Sequence, residues 1–308
     1  MFRKIILMAA GVGVLFGGMN TVQARQSGPD TCELGTTLAS CWIAVKDVRP
    51  TQFTVGGTAV NCKRKKFNKK SQQKMDDYLA KDGHELPTII GPAGNYYITD
   101  HHHLSSALYY AEGKDDGWIG KDQQVRLVIK QSYYKANPDE RISMQQFWTE
   151  MVNDGRAWPY NGDKRVPDND LAKAYAPVTS MKQLEDDPYR TLSRWVREAC
   201  GYIKEGKEQC VNIGPGKISD FMEFRWANYL RSEVSLDDDP STKQLRKAYE
   251  PSLEAVEKKH KPKNYFQQTW GLDAVAYGFN DTKKALNLKI SKSGCDKDPD
   301  PNDIIDVK

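Results

Sequence analysis

Residues 86–110, LPTIIGPAGNYYITDHHHLSSALYY, constrain the fold more than any other stretch of the chain. "LPTII" and "NYYIT" are each one strand long and carry β-branched and aromatic residues. Gly91, Pro92, Gly94 and Asn95 supply the turn between them. "LSSALYYAEG" then puts Leu104, Ala107 and Leu108 on one helical face and stops at Gly113. Asp100 to His103 are therefore a strand-to-helix elbow, and a hairpin that feeds straight into a helix belongs to a mixed α and β domain.

The rest of the first half agrees. "CWIAVKDVRP" reads as a strand ended by Pro50. "KKSQQKMDDYLAKDG" reads as an amphipathic helix with Met75, Tyr78 and Leu79 inward and Gly83 as its stop. "VRLVIK" alternates as a half-buried strand, and "SMQQFWTEMVNDG" has the apolar spacing of a helix. The lysine-rich "CKRKKFNKK" reads as a solvated face. Beyond residue 155 helical periodicity dominates, in "YRTLSRWVREACGYIKEG", "SDFMEFRWANYLRSEV" and "TKQLRKAYEPSLEAVEKKH", the last kinked or interrupted by Pro251. The aromatic residues of these helices fit core packing better than a ligand box. The fold class is α+β, with a domain over 25–155 and a mainly helical region over 156–308.

The chain opens with Arg3 and Lys4, a continuous apolar run from Ile5 to Gly18, and small residues at Val22 and Ala24. That is the pattern of a secretory signal over residues 1–24, cut after Ala24, which places the mature protein in the periplasm or outside the cell. The apolar run is too short for an ordinary membrane span, and no integral membrane segment is expected after cleavage. Removing Arg3 and Lys4 lowers the net charge from +4 to +2, which argues against nucleic acid as an obligate partner. All six cysteines lie beyond the signal, an even count that suits disulfides in an exported chain. Spacing favours Cys200–Cys210 and Cys32–Cys41, leaving Cys62 with Cys295. No C-x-x-C is present, which disfavours zinc and thioredoxin-type chemistry. Near the C-terminus Asp296, Asp298 and Asp300 have the opening spacing of an EF-hand. Pro301 at the glycine position and Val307 at the glutamate position break the signature.

Three of the five histidines sit in the elbow, directly after Asp100. Asp100 is a natural N-cap. The unsatisfied amides and dipole of a helix start attract anions, and imidazoles there add donors or serve as acid–base groups. Neighbouring side chains diverge by about 100° on a helix, so at most two of the three rings can meet one ion, and no metal ligand is assigned. An exposed elbow of this kind contributes only about 1 kcal/mol to folding.

The succession "VRPTQFTVGG", a helix ending in "YLAKDG", and then "LPTIIGPAGNYYITDHHHLSSAL" resembles the ParB/sulfiredoxin superfamily over roughly residues 42–155, and within it the exported ParB-like nuclease branch. In that superfamily a strand-turn-helix element with a D-G-H-H-R type motif sits on nucleotide phosphates. By position Asp100, His102 and His103 match the acid and both histidines, which implies a catalytic set of those three. His101 replaces the glycine and Leu104 the arginine, which removes a bidentate phosphate clamp. Thr58 and Ala59 stand where relatives with kinase activity carry a glutamate. The resemblance implies further phosphate contacts from His101, Arg49, Gln52 and Lys63, with His101, at the tight part of the turn, furthest from the ligand of the three histidines. Gly56 and Gly57 belong to the same loop.

Three function classes follow. The first is an exported nuclease or phosphodiesterase using His102 or His103 as general acid or base on a phosphate-containing small molecule or nucleic acid. The second is a nucleotide-dependent kinase of the free-serine type, which a secretory signal disfavours. The third is a non-catalytic module for a ligand or protein partner. No cofactor is assigned.

Overall fold

A computed structural model describes residues 31–32, 39–114, 118–198, 201–202, 220–237, 240, 242–257 and 260–272. The run expected to be one strand is two. β1 (Ser40–Ala44) and β2 (Val48–Pro50) are separated by a 3-10 turn over Val45–Asp47. Val45 and Val48 are both fully buried, so hydropathy alone does not reveal the turn between them. Its effect is large, because β1 and β2 end up on opposite edges of one five-stranded sheet of order β1-β6-β4-β5-β2.

The other strands of that sheet are β4 (Leu86–Ile90), β5 (Tyr96–Ile98) and β6 (Gln124–Ser132). β4 and β5 form the expected antiparallel hairpin, and Gly94 in its turn takes a φ of 85°. β6 pairs antiparallel with β1 and parallel with β4, while β2 pairs parallel with β5. A short strand β3 (Thr54–Val55) follows β2 and leads into α1 (Gly57–Phe67). This helix was hidden by the lysine run. Ala59, Val60, Cys62 and Phe67 are its buried positions, while Lys66 and Lys69 just beyond its end stay exposed.

Three expected helices follow: α2 (Gln72–Leu79), α3 (His102–Tyr109) and α4 (Met144–Asn153). Ser71 and Ser143 cap the first and last of these through their side chains. A small hairpin, β7 (Tyr160–Asn161) and β8 (Lys164–Arg165), and a short helix α5 (Leu171–Tyr175) lead to β9 (Glu185–Asp186). The C-terminal region contains α6 (Pro188–Glu198), α7 (Met222–Glu233), α8 (Thr242–Glu257) and α9 (His260–Trp270). α8 runs on through Pro251.

Two clusters of buried side chains support this α+β fold. One joins the sheet to α1–α5, from Cys41 to Leu184. The other joins α6–α9, around Trp195, Trp226, Tyr229 and Phe266. The helical region is tied to the sheet domain by β9, which pairs parallel with β3. Glu185 N–H donates to Phe53 O at 3.0 Å and Asp187 N–H to Val55 O at 2.8 Å. Cys32 and Cys41 are disulfide-bonded, as their spacing suggested. Cys62 is disulfide-bonded too. Cys200, Cys210 and Cys295 lie outside the described residues, as do the signal segment and the acidic tail with Asp296, Asp298 and Asp300.

Candidate functional site

The site begins where two parallel strands stop together. β2 and β5 pair with Pro50 opposite Ile98, so Thr51–Gln52 and Thr99–Asp100 leave the sheet side by side. Thr51 Oγ1 donates to Ile98 O at 2.9 Å and holds the two exits in register. After Asp100 the chain passes through His101, whose φ of 66° and ψ of 22° are left-handed. That conformation is ordinary for glycine and unfavourable for a residue with a Cβ, which accounts for the glycine of the resembled motif at this position. The N-cap of α3 is His101 rather than the expected Asp100, because the left-handed turn postpones the first helical residue to His102. Asp100 instead accepts from His101 N–H at 2.6 Å.

The first two helical residues reach back across the sheet edge. His102, only 5 % exposed, accepts through Nε2 from Thr51 N–H at 3.2 Å. His103 accepts through Nε2 from Gly56 N–H at 3.3 Å. With Nε2 an acceptor, each neutral ring carries its proton on Nδ1. Burial pushes both imidazoles below their ordinary 6.5, His103 to about 3, against the pull of Asp100 on His102 and of Glu223 on His103. Both rings are uncharged near neutral pH. They fasten the segment from Thr51 to Gly57 onto α3. The same segment is fixed from its other end by Gly57 N–H, which donates to Asp186 Oδ1 at 2.6 Å. A Cβ on Gly57 would stand 2.6 Å from Asp186 Oδ2, so a larger residue would displace that carboxylate.

The elbow is covered rather than exposed. α6 starts at Asp187–Pro188, with the Asp187 carboxylate accepting from Tyr189 N–H at 3.0 Å and proline in the first turn. Arg190, Arg194 and Arg197 follow at i, i+4 and i+7 and share a helix face. Arg190 is 3 % exposed and lies with its guanidinium carbon 3.4 Å from the centre of the Phe224 ring. Its Nη2 meets Glu223 Oε1 at 3.0 Å, and Arg197 holds Glu223 Oε2. Burial alone would raise Glu223, yet Arg197, Arg190 and His103 together hold its carboxyl well below the usual range. Ser193 Oγ donates to Glu223 O at 2.7 Å and locks α6 to α7 at this point.

α7 begins as α3 does. Its N-cap, Phe221, is the second non-glycine residue in the left-handed region among the described residues, at φ 56°. The two such residues thus open the two helices whose starts meet at the same place, a clustering of backbone strain that marks functional sites. Beside them Gly155, at φ 66°, lets Asp220 approach, since a Cβ would lie 2.5 Å from Asp220 Oδ2.

Between these elements is a cavity of about 420 Å³. Its charged walls are Arg190, Arg197, Glu223, Asp100 and Asp220, with Gln52, His102 and His103 on the sheet side and Tyr202, Phe221 and Phe224 on the helical side. Among the described residues no group of three or more His, Cys, Asp or Glu side chains is placed to hold a metal ion.

The family described as "Putative ParB-like nuclease" matches residues 41–232. The chain belongs to this family. The match extends past residue 155, where the resemblance read from sequence stopped, and reaches into α7, so the arginine face of α6 and Glu223 are part of the ParB-like domain. Among solved structures, the crystal structure of protein Atu1540 from Agrobacterium tumefaciens is 26% identical with a TM-score of 0.52, over 72% of this chain and 93% of that one. No curated protein matches the chain.

Within this ParB-like domain, four of the seven residues expected at the site, Gln52, Asp100, His102 and His103, line the cavity. His101, Arg49 and Lys63 are not among its lining residues. Arg49 lies over the Tyr97 ring, 6.0 Å from its centre. Lys63 is on α1, its ammonium disfavoured by burial and then by Arg194 and Lys66. Arg190, Arg197 and Glu223 were missed. The signal for the arginines was present in "RTLSRWVRE", whose three arginines recur on the face opposite Leu192, Trp195 and Val196. The aromatic residues of the late helices divide. Trp195, Trp226 and Tyr229 are core, while Phe221 and Phe224 face the cavity.

Proposed function

We propose that this ParB-like protein is exported and binds a phosphate-containing ligand in the cavity over the Asp100–His103 elbow, as a nuclease or phosphodiesterase. The observation that carries the reading is the convergence of Arg190, Arg197 and the starts of α3 and α7 on one polar cavity. Guanidinium groups and helix-start amides are the donors that suit phosphate oxygens. Arg190 and Arg197 take over the role of the motif arginine that Leu104 replaces. Asp100, exposed and lining the cavity, serves in this reading as the acceptor for the proton of attacking water. His102 and His103 position the Thr51–Gly57 segment, because each Nε2 already accepts a backbone N–H. That engagement also favours a second reading, a binding module without hydrolysis. The segment over residues 1–24 supports export.

The test uses mature protein under non-reducing conditions with adenosine 5′-monophosphate, short single-stranded DNA and RNA, and bis(p-nitrophenyl) phosphate, with and without divalent metals. Arg197→Lys keeps the charge and loses the planar fork. Binding weakened at least tenfold by that change, with cleavage of a diester, is the expected result. Binding without turnover selects the second reading, and no binding of any of these probes by the wild type overturns both.

A further inference from the structure

Glu223 is an unexpected residue in a phosphate site. It lies in the first turn of α7, its side chain is only 14% exposed, and both arginines of the cavity are bound to it. A site built only to attract negative charge would leave out such a group. The guanidinium of Arg190 is also held by Nη1, which donates to Thr54 O at 3.4 Å, so Glu223 is not its only partner.

The charges lining the cavity decide which phosphate suits it. Arg190 and Arg197 face Glu223, Asp100 and Asp220, and the histidines are neutral. Among the described lining residues, two cations against three carboxylates leave one excess negative charge, and two helix starts return roughly half a unit each. The site is therefore close to neutral before a ligand enters. It holds strong directional donors for phosphate oxygens and almost no surplus positive charge. A phosphodiester carries one negative charge, and a terminal phosphomonoester gains a second above a pKa of about 6. In a partly enclosed cavity with three carboxylates, that second charge finds no further lining cation among the described residues to compensate it. Arg194 and Lys63 add positive charge behind His103, yet neither lines the cavity.

We propose that Glu223 is a specificity-determining residue that sets the charge of the site to accept a singly charged internal phosphate and to reject a doubly charged terminal one. The inference rests on the phosphate-binding reading above. It gives the cavity a preference for a phosphate flanked on both sides, as in the interior of a chain or in a diester head.

The experiment compares adenosine 5′-monophosphate with its 5′-methyl ester, which share base and sugar and differ in phosphate charge. In the wild type near pH 8 the methyl ester binds at least tenfold more tightly. Between about pH 5 and pH 8 the affinity for the monoester falls at least fivefold as its second proton leaves, whereas the ester changes little. This arm needs no mutant, so it holds even if a variant fails to fold. Glu223→Gln, checked by circular dichroism, tightens monoester binding more than ester binding and narrows the ratio. A wild type that prefers the monoester near pH 8, or binds it more tightly as pH rises, overturns the specificity while leaving phosphate binding intact. An unchanged ratio in folded E223Q removes Glu223 from the role. If the wild type binds neither compound, this inference and the phosphate-binding reading fall together.

Discussion

His102→Ala separates a fastening role from a surface role. In the wild type, His102 Nε2 accepts from Thr51 N–H, and Thr51 is itself fully buried, so water does not replace the lost acceptor without rearrangement. An unsatisfied buried N–H costs about 1–3 kcal/mol. The ring borders the cavity and is only partly enclosed by packed atoms, so the packing loss adds only about 1 kcal/mol. The expected total is about 2–4 kcal/mol, or roughly 5–15 °C in Tm for a domain of this size. His103→Ala removes a half-buried ring from the buried Gly56 N–H, and water entering from the cavity that the ring lines takes its place, so the loss should be about 1 kcal/mol. His102→Gln, whose amide oxygen reaches the position of Nε2, should recover about half of the His102→Ala loss. Urea and thermal unfolding under non-reducing conditions measure all three. Equal losses below 1 kcal/mol for both alanine variants, the outcome an exposed elbow would give, would refute the reasoning.

The same two histidines set a pH dependence. Above about 6.5 neither the folded nor the unfolded chain binds the extra protons. Between there and about 3 only the unfolded chain does, so stability should fall as pH falls through that window. The slope approaches about 1.4 kcal/mol per pH unit for each ring within that window. Denaturation midpoints from pH 7 to pH 4 should flatten in the His102→Gln, His103→Gln double variant, and an unaltered slope there would count against the assignment. Gly57→Ala should cost about 1–3 kcal/mol by driving the Asp186 carboxylate from the start of α1, read by thermal unfolding. All six cysteines should resist alkylation in the folded unreduced protein, and reduction should cost about 2–5 kcal/mol. Two or more thiols alkylated without reductant would contradict full pairing.

How far local pattern reaches is clear from particular elements. The β4–β5 hairpin, its turn and the helix after it were legible from residues 86–110, because turn chemistry and hydrophobic periodicity act within a few positions. α2 and α4 were legible for the same reason. α1 was not, since its lysines obscured an inward set of Ala59, Val60, Cys62 and Phe67 that becomes evident only against α3. The split of Cys41–Pro50 into two strands was also hidden. A three-residue turn between buried valines leaves no local trace, and where each half pairs is decided by partners 48 to 88 residues away.

The site divides along the same line. The sequence by itself determined that Asp100 to His103 form an elbow at a helix start. Tertiary structure alone decided that the elbow is roofed by α6 and α7, that His102 and His103 spend Nε2 on backbone amides of another segment, and that Arg190, Arg197 and Glu223 share the cavity. The physical reason is range. Dihedral preferences and helical periodicity are properties of adjacent residues, whereas burial, hydrogen-bond partners and the sign of a neighbouring charge depend on which distant segments the fold brings together.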